Sequence, residues 1–204
     1  MSDDPDRLLV EKCQQVSGLE FNDAYKKLFV LYQDRVFNIC YRVTGNEADA
    51  LDAAQETMIA IARRISGFAF RSRFSSWVYR IAVNSAIDVK RKRLGGKAKN
   101  STVLFGTEPS AEMIEQAADS TSNTYPDAEI SRSENQKLIR QALAEMNPKF
   151  SAILILRYIE ELSYEDIAES QGCSLGTVKS RLSRAHQSLK NFLKTRGCDS
   201  SFFL

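Results

Sequence analysis

Side chains suited to nucleophilic or metal chemistry are few among the 204 residues of this chain. There is one histidine, His186, and none of the four cysteines (Cys13, Cys40, Cys173, Cys198) belongs to a Cys-x-x-Cys pair. A zinc site needs about four nitrogen or sulfur ligands that are usually paired closely in sequence. Histidine-dependent catalysis would have to use His186, which lies in a basic segment, and no phosphate-binding glycine loop is present. We therefore expect no metal, no cofactor and no catalytic residues.

Carboxylates gather in two segments: residues 44–57 hold four acids and no base, and residues 158–169 hold five acids. Asp49, Asp52 and Glu56 have a helical spacing and could cluster as the metal ligands of a nuclease. Their predicted helix has no phosphate-binding neighbours, however, so this enzyme class is disfavoured. An acidic helix face that docks on another protein is the alternative interpretation.

Basic residues are concentrated in two segments, although the net charge of the chain is only +2. Residues 71–93 hold seven bases and one acid, and residues 170–198 hold six bases and no acid. Basic side chains attract the phosphate backbone, and aromatic rings such as those of Phe68, Phe70 and Phe74 can stack on unpaired bases. Either segment taken alone could be a solvated helix face. Together they favour nucleic-acid binding.

Apolar side chains recur at intervals of three and four residues, which predicts helices and no strands. We expect an all-α fold of two small helical domains, at 15–93 and 134–196, joined by a flexible, polar linker at 94–133 with a short helical turn near 110–118. A linker of that length should make the binding contributions of the two domains nearly additive. No apolar run is long enough to cross a bilayer and the acidic start lacks a signal core, so we expect a cytoplasmic protein without membrane insertion. The predicted helices lie at 21–43, 47–66, 75–93, 134–146, 148–160, 163–171 and 174–195. Asn46 is expected to cap the second helix, Leu51 to lie on its buried face, and Ile87 to lie on the exposed face of the third.

Residues 163–185, SYEDIAESQGCSLGTVKSRLSRA, have the pattern of a helix-turn-helix. Ser163 with Asp166 predicts a capping box, Gly172 suits a turn that needs positive φ, and Ser174 caps the next helix. Val178 and Leu182 place one face of that helix inside, which leaves a basic face free to enter a major groove. A purely structural helical hairpin is the alternative.

These segments resemble a known family, the bacterial sigma factors of the extracytoplasmic-function (ECF) group. The resemblance rests on YRVTGNEADALDAAQET (41–57), FSSWVYRIAVNSAIDVKRKR (74–93) and, after Asn147-Pro148, ILILRYIEELSYEDIAESQGCSLGTVKSRLSRA (153–185). It implies that the first domain binds RNA polymerase core and the −10 promoter element, that the second binds the −35 element, and that an anti-sigma factor is a partner. A helix-turn-helix regulator with a helical sensor or dimerisation domain would explain 134–195 but not the order of acids, aromatics and bases in 44–93.

The chain departs from the family in the loop that usually reads Phe-Arg-Gly-Glu-Ser-Ser-Phe. Here the loop is residues 68–74, FAFRSRF, with Phe70 in place of the glycine and Arg71 in place of the acid. Ala62 replaces an aromatic residue often found late in the acidic helix. The loop differences bear on the −10 sequence preference, and the third difference bears on packing.

Helical faces and the resemblance together define three candidate surfaces. The predicted polymerase-binding residues are Asp49, Asp52, Gln55, Glu56, Ile59 and Arg63. The predicted −10 residues are Phe68, Phe70, Arg71, Arg73, Phe74, Trp77, Arg80, Asn84 and Arg91. The predicted −35 residues are Ser174, Thr177, Lys179, Ser180, Arg181, Ser183, Arg184 and Gln187.

Overall fold

The computed structural model describes residues 4–95 and 128–196, with side chains in the second range described from residue 135. Within these ranges the regular structure is helical. A 3₁₀ turn at Ile65–Gly67 follows α3, and α6 continues as a π-helical turn at Ile155–Ile159. The α-helices are α1 (Arg7–Gln15), α2 (Gly18–Thr44), α3 (Glu47–Arg64), α4 (Phe74–Arg93), α5 (Ala128–Glu145), α6 (Pro148–Leu154), α7 (Tyr164–Gln171) and α8 (Leu175–Thr195).

Most predicted helices are confirmed, and the differences lie at the ends of the two units. Helix α1 was not predicted, although it packs on α2 and on the 3₁₀ turn. Helix α5 begins at Ala128, six residues before the start predicted for this helix and within the segment assigned to the linker at 94–133. The turn expected near 110–118 lies outside the described residues.

The first unit is built on α2, α3 and α4, which pack against one another. The buried stripe of α3 is shifted from its predicted position. Leu51 was expected inside but is 48% exposed, whereas Ala50 and Ala53 are fully buried. Small side chains at these two positions allow α3 to approach α2 closely, and this close approach turns Leu51 outward.

The second unit contains the predicted helix-turn-helix, and its capping signals are confirmed. The Asp166 N–H donates to Ser163 Oγ at 3.0 Å, and the carboxylate of Asp166 accepts from the Ser163 backbone. Gly172 ends α7 at φ +61°. The Thr177 N–H donates to Ser174 Oγ at 3.2 Å at the start of α8.

The two units pack against each other. Helices α5 and α6 contact α2, and helices α6 and α7 contact α4, so that buried residues of both units join in one core. Ile87, expected on the exposed face of α4, is 4% exposed. An ion pair joins Arg35 Nε to the buried carboxylate of Glu160 at 3.1 Å.

Lys90 links the ends of two helices across this contact. Its buried ammonium donates to the Val43 carbonyl of α2 at 2.8 Å and to the Ala144 carbonyl of α5. Carbonyls in the last turn of a helix have no partner within the helix, and the macrodipole makes that end attractive to a cation. Gly45, which ends α2 at φ +71°, meets α5 at the same place, because a Cβ there would lie 2.4 Å from the Ala144 Cβ.

Candidate docking and nucleic-acid surfaces

The acidic face of α3, defined here as Asp52, Gln55, Glu56, Ile59 and Arg63, is exposed to solvent. Asn46 starts the helix, with its side chain accepting from the Asp49 N–H at 3.0 Å. Ile59 is 51% exposed amid charged neighbours.

Two predicted members of the polymerase-binding set form ion pairs with the end of α4. Asp49 is half-buried and its carboxylate lies 2.8 Å from an Arg93 guanidinium nitrogen. Glu56 lies 3.5 Å from the Lys92 ammonium, with both side chains about half exposed. The Asp49 ion pair therefore links α3 to the end of α4. Asp52 and Gln55 are exposed next to Ile59.

Sequence reasoning missed two residues of this surface. Leu51 lies four residues before Gln55 and eight before Ile59, so that the three share one helical face. Arg64 lines a hollow on the same helix together with Glu56, Ile59, Ala60 and Arg63. Ala50 was the sequence signal for an exposed Leu51. If the buried stripe of the helix is shifted by one residue, Ala50 lies in the core and Leu51 faces outward.

The loop at 68–74 is built on an aromatic cluster. The Phe68 ring lies 4.9 Å from Phe70, 5.4 Å from Phe74 and 5.2 Å from Trp77, measured between centroids. Phe68 is 7% exposed and Phe74 is fully buried, so these two rings are part of the core in this structure. Phe70 and Trp77 are half-buried and leave part of each ring accessible.

The backbone of the loop takes a conformation that suits glycine. Phe70 has φ +52°, in the left-handed region that L-residues with a Cβ seldom adopt. Phe70 therefore holds a backbone conformation that glycine would adopt more readily. Arg71 and Arg73 flank Ser72 and are exposed.

Three polar residues continue this surface along α4. Arg80 and Asn84 are half-buried, and burial with the nearby Arg64 guanidinium lowers the pKa of Arg80. Arg91 donates to Asp88 at 2.7 Å. Arg64 and Arg80 thus bring positive charge to the junction of α3 and α4.

Helix α8 carries the second basic surface. Its apolar side, with Val178, Leu182 and Ala185, is buried against the rest of the unit. Arg181 reaches back to the turn, where its guanidinium donates to Gln171 Oε1 at 3.2 Å. The structure leaves Ser174, Lys179, Ser183 and Gln187 exposed and Thr177, Ser180, Arg181 and Arg184 half-buried.

His186 lies away from any cluster of potential metal ligands. Its Nε2 is 2.8 Å from the Tyr158 hydroxyl, and burial lowers the pKa of its imidazole. Within 4–95 and 128–196 no three His, Cys, Asp or Glu side chains come together as a metal site requires. No helix in the same ranges is long and apolar enough to cross a membrane.

Comparison with known proteins matches both units. Residues 28–94 match the family model for sigma-70 region 2, and residues 136–189 match a model for sigma-70 region 4. The chain is 33% identical over 172 residues to the ECF RNA polymerase sigma factor SigW of Bacillus subtilis (strain 168), covering 84% of this chain and 90% of that protein.

Two solved structures share the fold. CnrH, in complex with the cytosolic domain of CnrY, gives a TM-score of 0.60 at 18% identity, over 93% of this chain and 97% of that chain. The sigma factor RpoE of Bartonella quintana, in complex with the anti-sigma factor NepR, gives 0.54 at 23% identity, over 83% of this chain and 96% of that chain. With both sigma regions matched in order and a relative aligned over most of its length, the chain belongs to the ECF group of sigma-70 family RNA polymerase sigma factors.

Proposed function

We propose that this sigma factor binds RNA polymerase core through the acidic face of α3 together with Leu51. Members of its family bind the polymerase and direct promoter-specific initiation, and the chain carries both regions that this needs. The observation that carries the surface assignment is the pair Leu51 and Ile59, about half exposed between carboxylates. Burying such side chains against a partner removes apolar area from water, while the acids select a basic partner surface.

The loop at 68–74 and the first turns of α4 are proposed to contact the −10 element. Arg71, Arg73 and Arg80 would hold phosphates, and the half-exposed rings of Phe70 and Trp77 would stack on bases of the opened strand. Extruding a base from the stack costs a few kcal/mol, which a fitted pocket offsets. Phe68 and Phe74 would support this surface from below, because both rings are buried.

Helix α8 is proposed to read the −35 element in the major groove. The exposed side chains of Ser174, Lys179, Ser183 and Gln187 lie away from the apolar side that holds the helix in its unit. Arginine can make a bidentate contact with guanine, and lysine at the flank of a helix contacts phosphate. Arg184 and Lys179 are assigned these two roles.

The remaining assignments follow from the family. We propose that 15–93 and 134–196 are the functional domains, with 94–133 as their linker, that the protein works in the cytoplasm, and that it performs no covalent step of its own. The two solved neighbours were each crystallised or determined with a binding partner, and one of these is named an anti-sigma factor. An anti-sigma factor is therefore proposed as a partner of this chain.

Reconstitution with polymerase core tests the proposed docking surface. Asp52→Arg combined with Glu56→Arg reverses the charge of the acidic face, so we expect loss of co-purification with core and of promoter-dependent transcription. Glu20→Arg combined with Asp23→Arg makes an equal change in net charge on the exposed side of α2. This control should retain both co-purification with core and promoter-dependent transcription. Equal retention of core by both double variants would refute the assignment.

The same reconstitution separates a sigma factor from a helix-turn-helix regulator. The sigma factor should give promoter-specific transcripts only with core present. Tight, sequence-specific binding of duplex DNA by the protein alone, without any transcript on addition of core, would favour the regulator.

A further inference from the structure

The N-terminal segment, residues 4–15, contacts the loop at 68–74 at three points. It precedes residue 28, where the match to sigma-70 region 2 begins, so the family model does not include it. Its helix α1 packs on α2 and on the 3₁₀ turn that leads into the loop. Each contact falls on a different part of the loop: its entry, its middle or its exit.

Gln14 holds the entry of the loop. Its side-chain amide donates to the Ile65 carbonyl at 2.9 Å and to the Phe68 carbonyl at 2.8 Å. An amide nitrogen has two hydrogens, and both are used here on backbone atoms on either side of Gly67. The turn between α3 and the loop is therefore held in place by a side chain of α1.

Asp4 holds the exit of the loop. Its carboxylate accepts the Phe74 N–H at 2.7 Å, and this N–H is one of the unpaired donors at the start of α4. No side chain of the loop itself caps α4, because Arg73 occupies the N-cap position. Asp4 is 9% exposed and also accepts from the Asp6 N–H at 3.1 Å.

Arg7 lies over the middle of the loop. Its guanidinium carbon is 4.9 Å from the centre of the Phe70 ring, a cation–π distance, while its Nε pairs with Glu11 at 2.8 Å. Phe70 is the residue with positive φ, so the contact lies on the position where the loop backbone is least favourable.

We propose that the N-terminal segment positions the −10-reading loop, with Gln14, Asp4 and Arg7 as positioning residues. The proposal rests on the −10 role given to the loop under the proposed function. Arg71 and Arg73 lie between the fixed entry and the fixed exit, so the segment sets where their side chains meet the opened strand. A relative with glycine in place of Phe70 would not have the ring that Arg7 covers.

The test compares Gln14→Leu with its neighbour Gln15→Leu, an exposed residue at the end of α1. Each reconstituted holoenzyme transcribes from promoters with the preferred or a substituted base at −10 and, separately, at −35. Loss of two hydrogen bonds to the backbone should reduce the −10 discrimination of Gln14→Leu about tenfold. Its −35 discrimination and its affinity for core should equal those of Gln15→Leu.

Two further measurements guard against a folding defect. Trypsin should cleave after Arg71 and Arg73 faster in Gln14→Leu than in Gln15→Leu, because the loop is released. Asp4→Asn keeps an oxygen acceptor for the Phe74 N–H and should preserve −10 discrimination, which Asp4→Ala should reduce.

The outcomes distinguish the positioning role of the N-terminal segment from the −10 role of the loop. Phe70→Ala, which removes a loop ring assigned to base stacking, serves as the direct test of the loop. If that variant changes −10 discrimination and Gln14→Leu does not, the positioning role is overturned and the loop assignment stands. If neither changes it, both are overturned. If Gln14→Leu lowers core affinity or −35 discrimination as much as −10 discrimination, the segment has only a structural role and the proposal is overturned.

Discussion

Gly45 offers a quantitative test of the contact between the two units. Gly45→Ala places a methyl group 2.4 Å from the Ala144 Cβ and forces a left-handed backbone on a residue with a Cβ. The left-handed conformation costs about 1–2 kcal/mol, and overpacking a close contact costs about 1–3 kcal/mol. We expect the unfolding free energy from urea titration to fall by about 2–5 kcal/mol, the sum of these two costs.

Two other variants separate the cost of the left-handed backbone from the cost of the close contact. Gly172 also ends a helix in the left-handed region, at φ +61°, but nothing lies within 4 Å of the Cβ it would gain. Gly172→Ala should therefore lose only about 1–2 kcal/mol. Ala144→Gly removes the atom that Gly45→Ala would strike, so a double-mutant cycle of the two should show a favourable coupling of about 1–3 kcal/mol. Additivity within about 0.5 kcal/mol would refute the contact between α2 and α5.

Two more expectations concern the ion pair between the units and helix α8. Burial raises the pKa of Glu160 above its ordinary 4.5 against the opposing effect of Arg35, so its stabilising contribution is present at low pH and is lost as pH rises through the folded value. The unfolding free energy of the wild type should therefore increase relative to Glu160→Gln as pH is lowered from about 7 towards 4.5, and a constant difference would contradict the burial argument. In −35 binding, Arg184→Ala should relax base preference by ~1–3 kcal/mol. Lys179→Ala should weaken binding to all sequences and reduce the salt slope by about 1, and equal loss of preference in both would contradict their assigned roles.

Local signals predicted the helix-turn-helix well because its geometry is specified within a few residues. Ser163, Gly172 and Ser174 each act on their own turn, through a hydroxyl cap or a positive φ. The same holds for Asn46 at the start of α3, whose side chain accepts the Asp49 N–H. Boundaries of this kind depend little on the rest of the molecule, so the sequence alone indicates them.

Features that depend on distant contacts were not predictable in the same way. Helix α1 is held by Gln14 and Asp4 through partners more than fifty residues away in sequence. Leu51 was assigned to the core because its hydrophobicity fits the stripe, and only the packing of α2 on Ala50 decides otherwise. Lys90 and Glu160 look like surface charges in the sequence, yet both are buried where the units meet.

The position of Lys90 has a consequence for cutting the chain in two. The covalent path between the units runs through residues 96–127, whereas the contacts described here, the Arg35–Glu160 pair and the Lys90 bridge among them, join residues 4–95 to residues 128–196. Fragments 1–95 and 128–204 therefore carry complementary surfaces and should reassemble on co-expression as a split protein. Fragment 1–95 alone would lose the Ala144 acceptor of a buried ammonium and expose apolar surface of α2 and α4, so it is a poor substitute for the intact first unit.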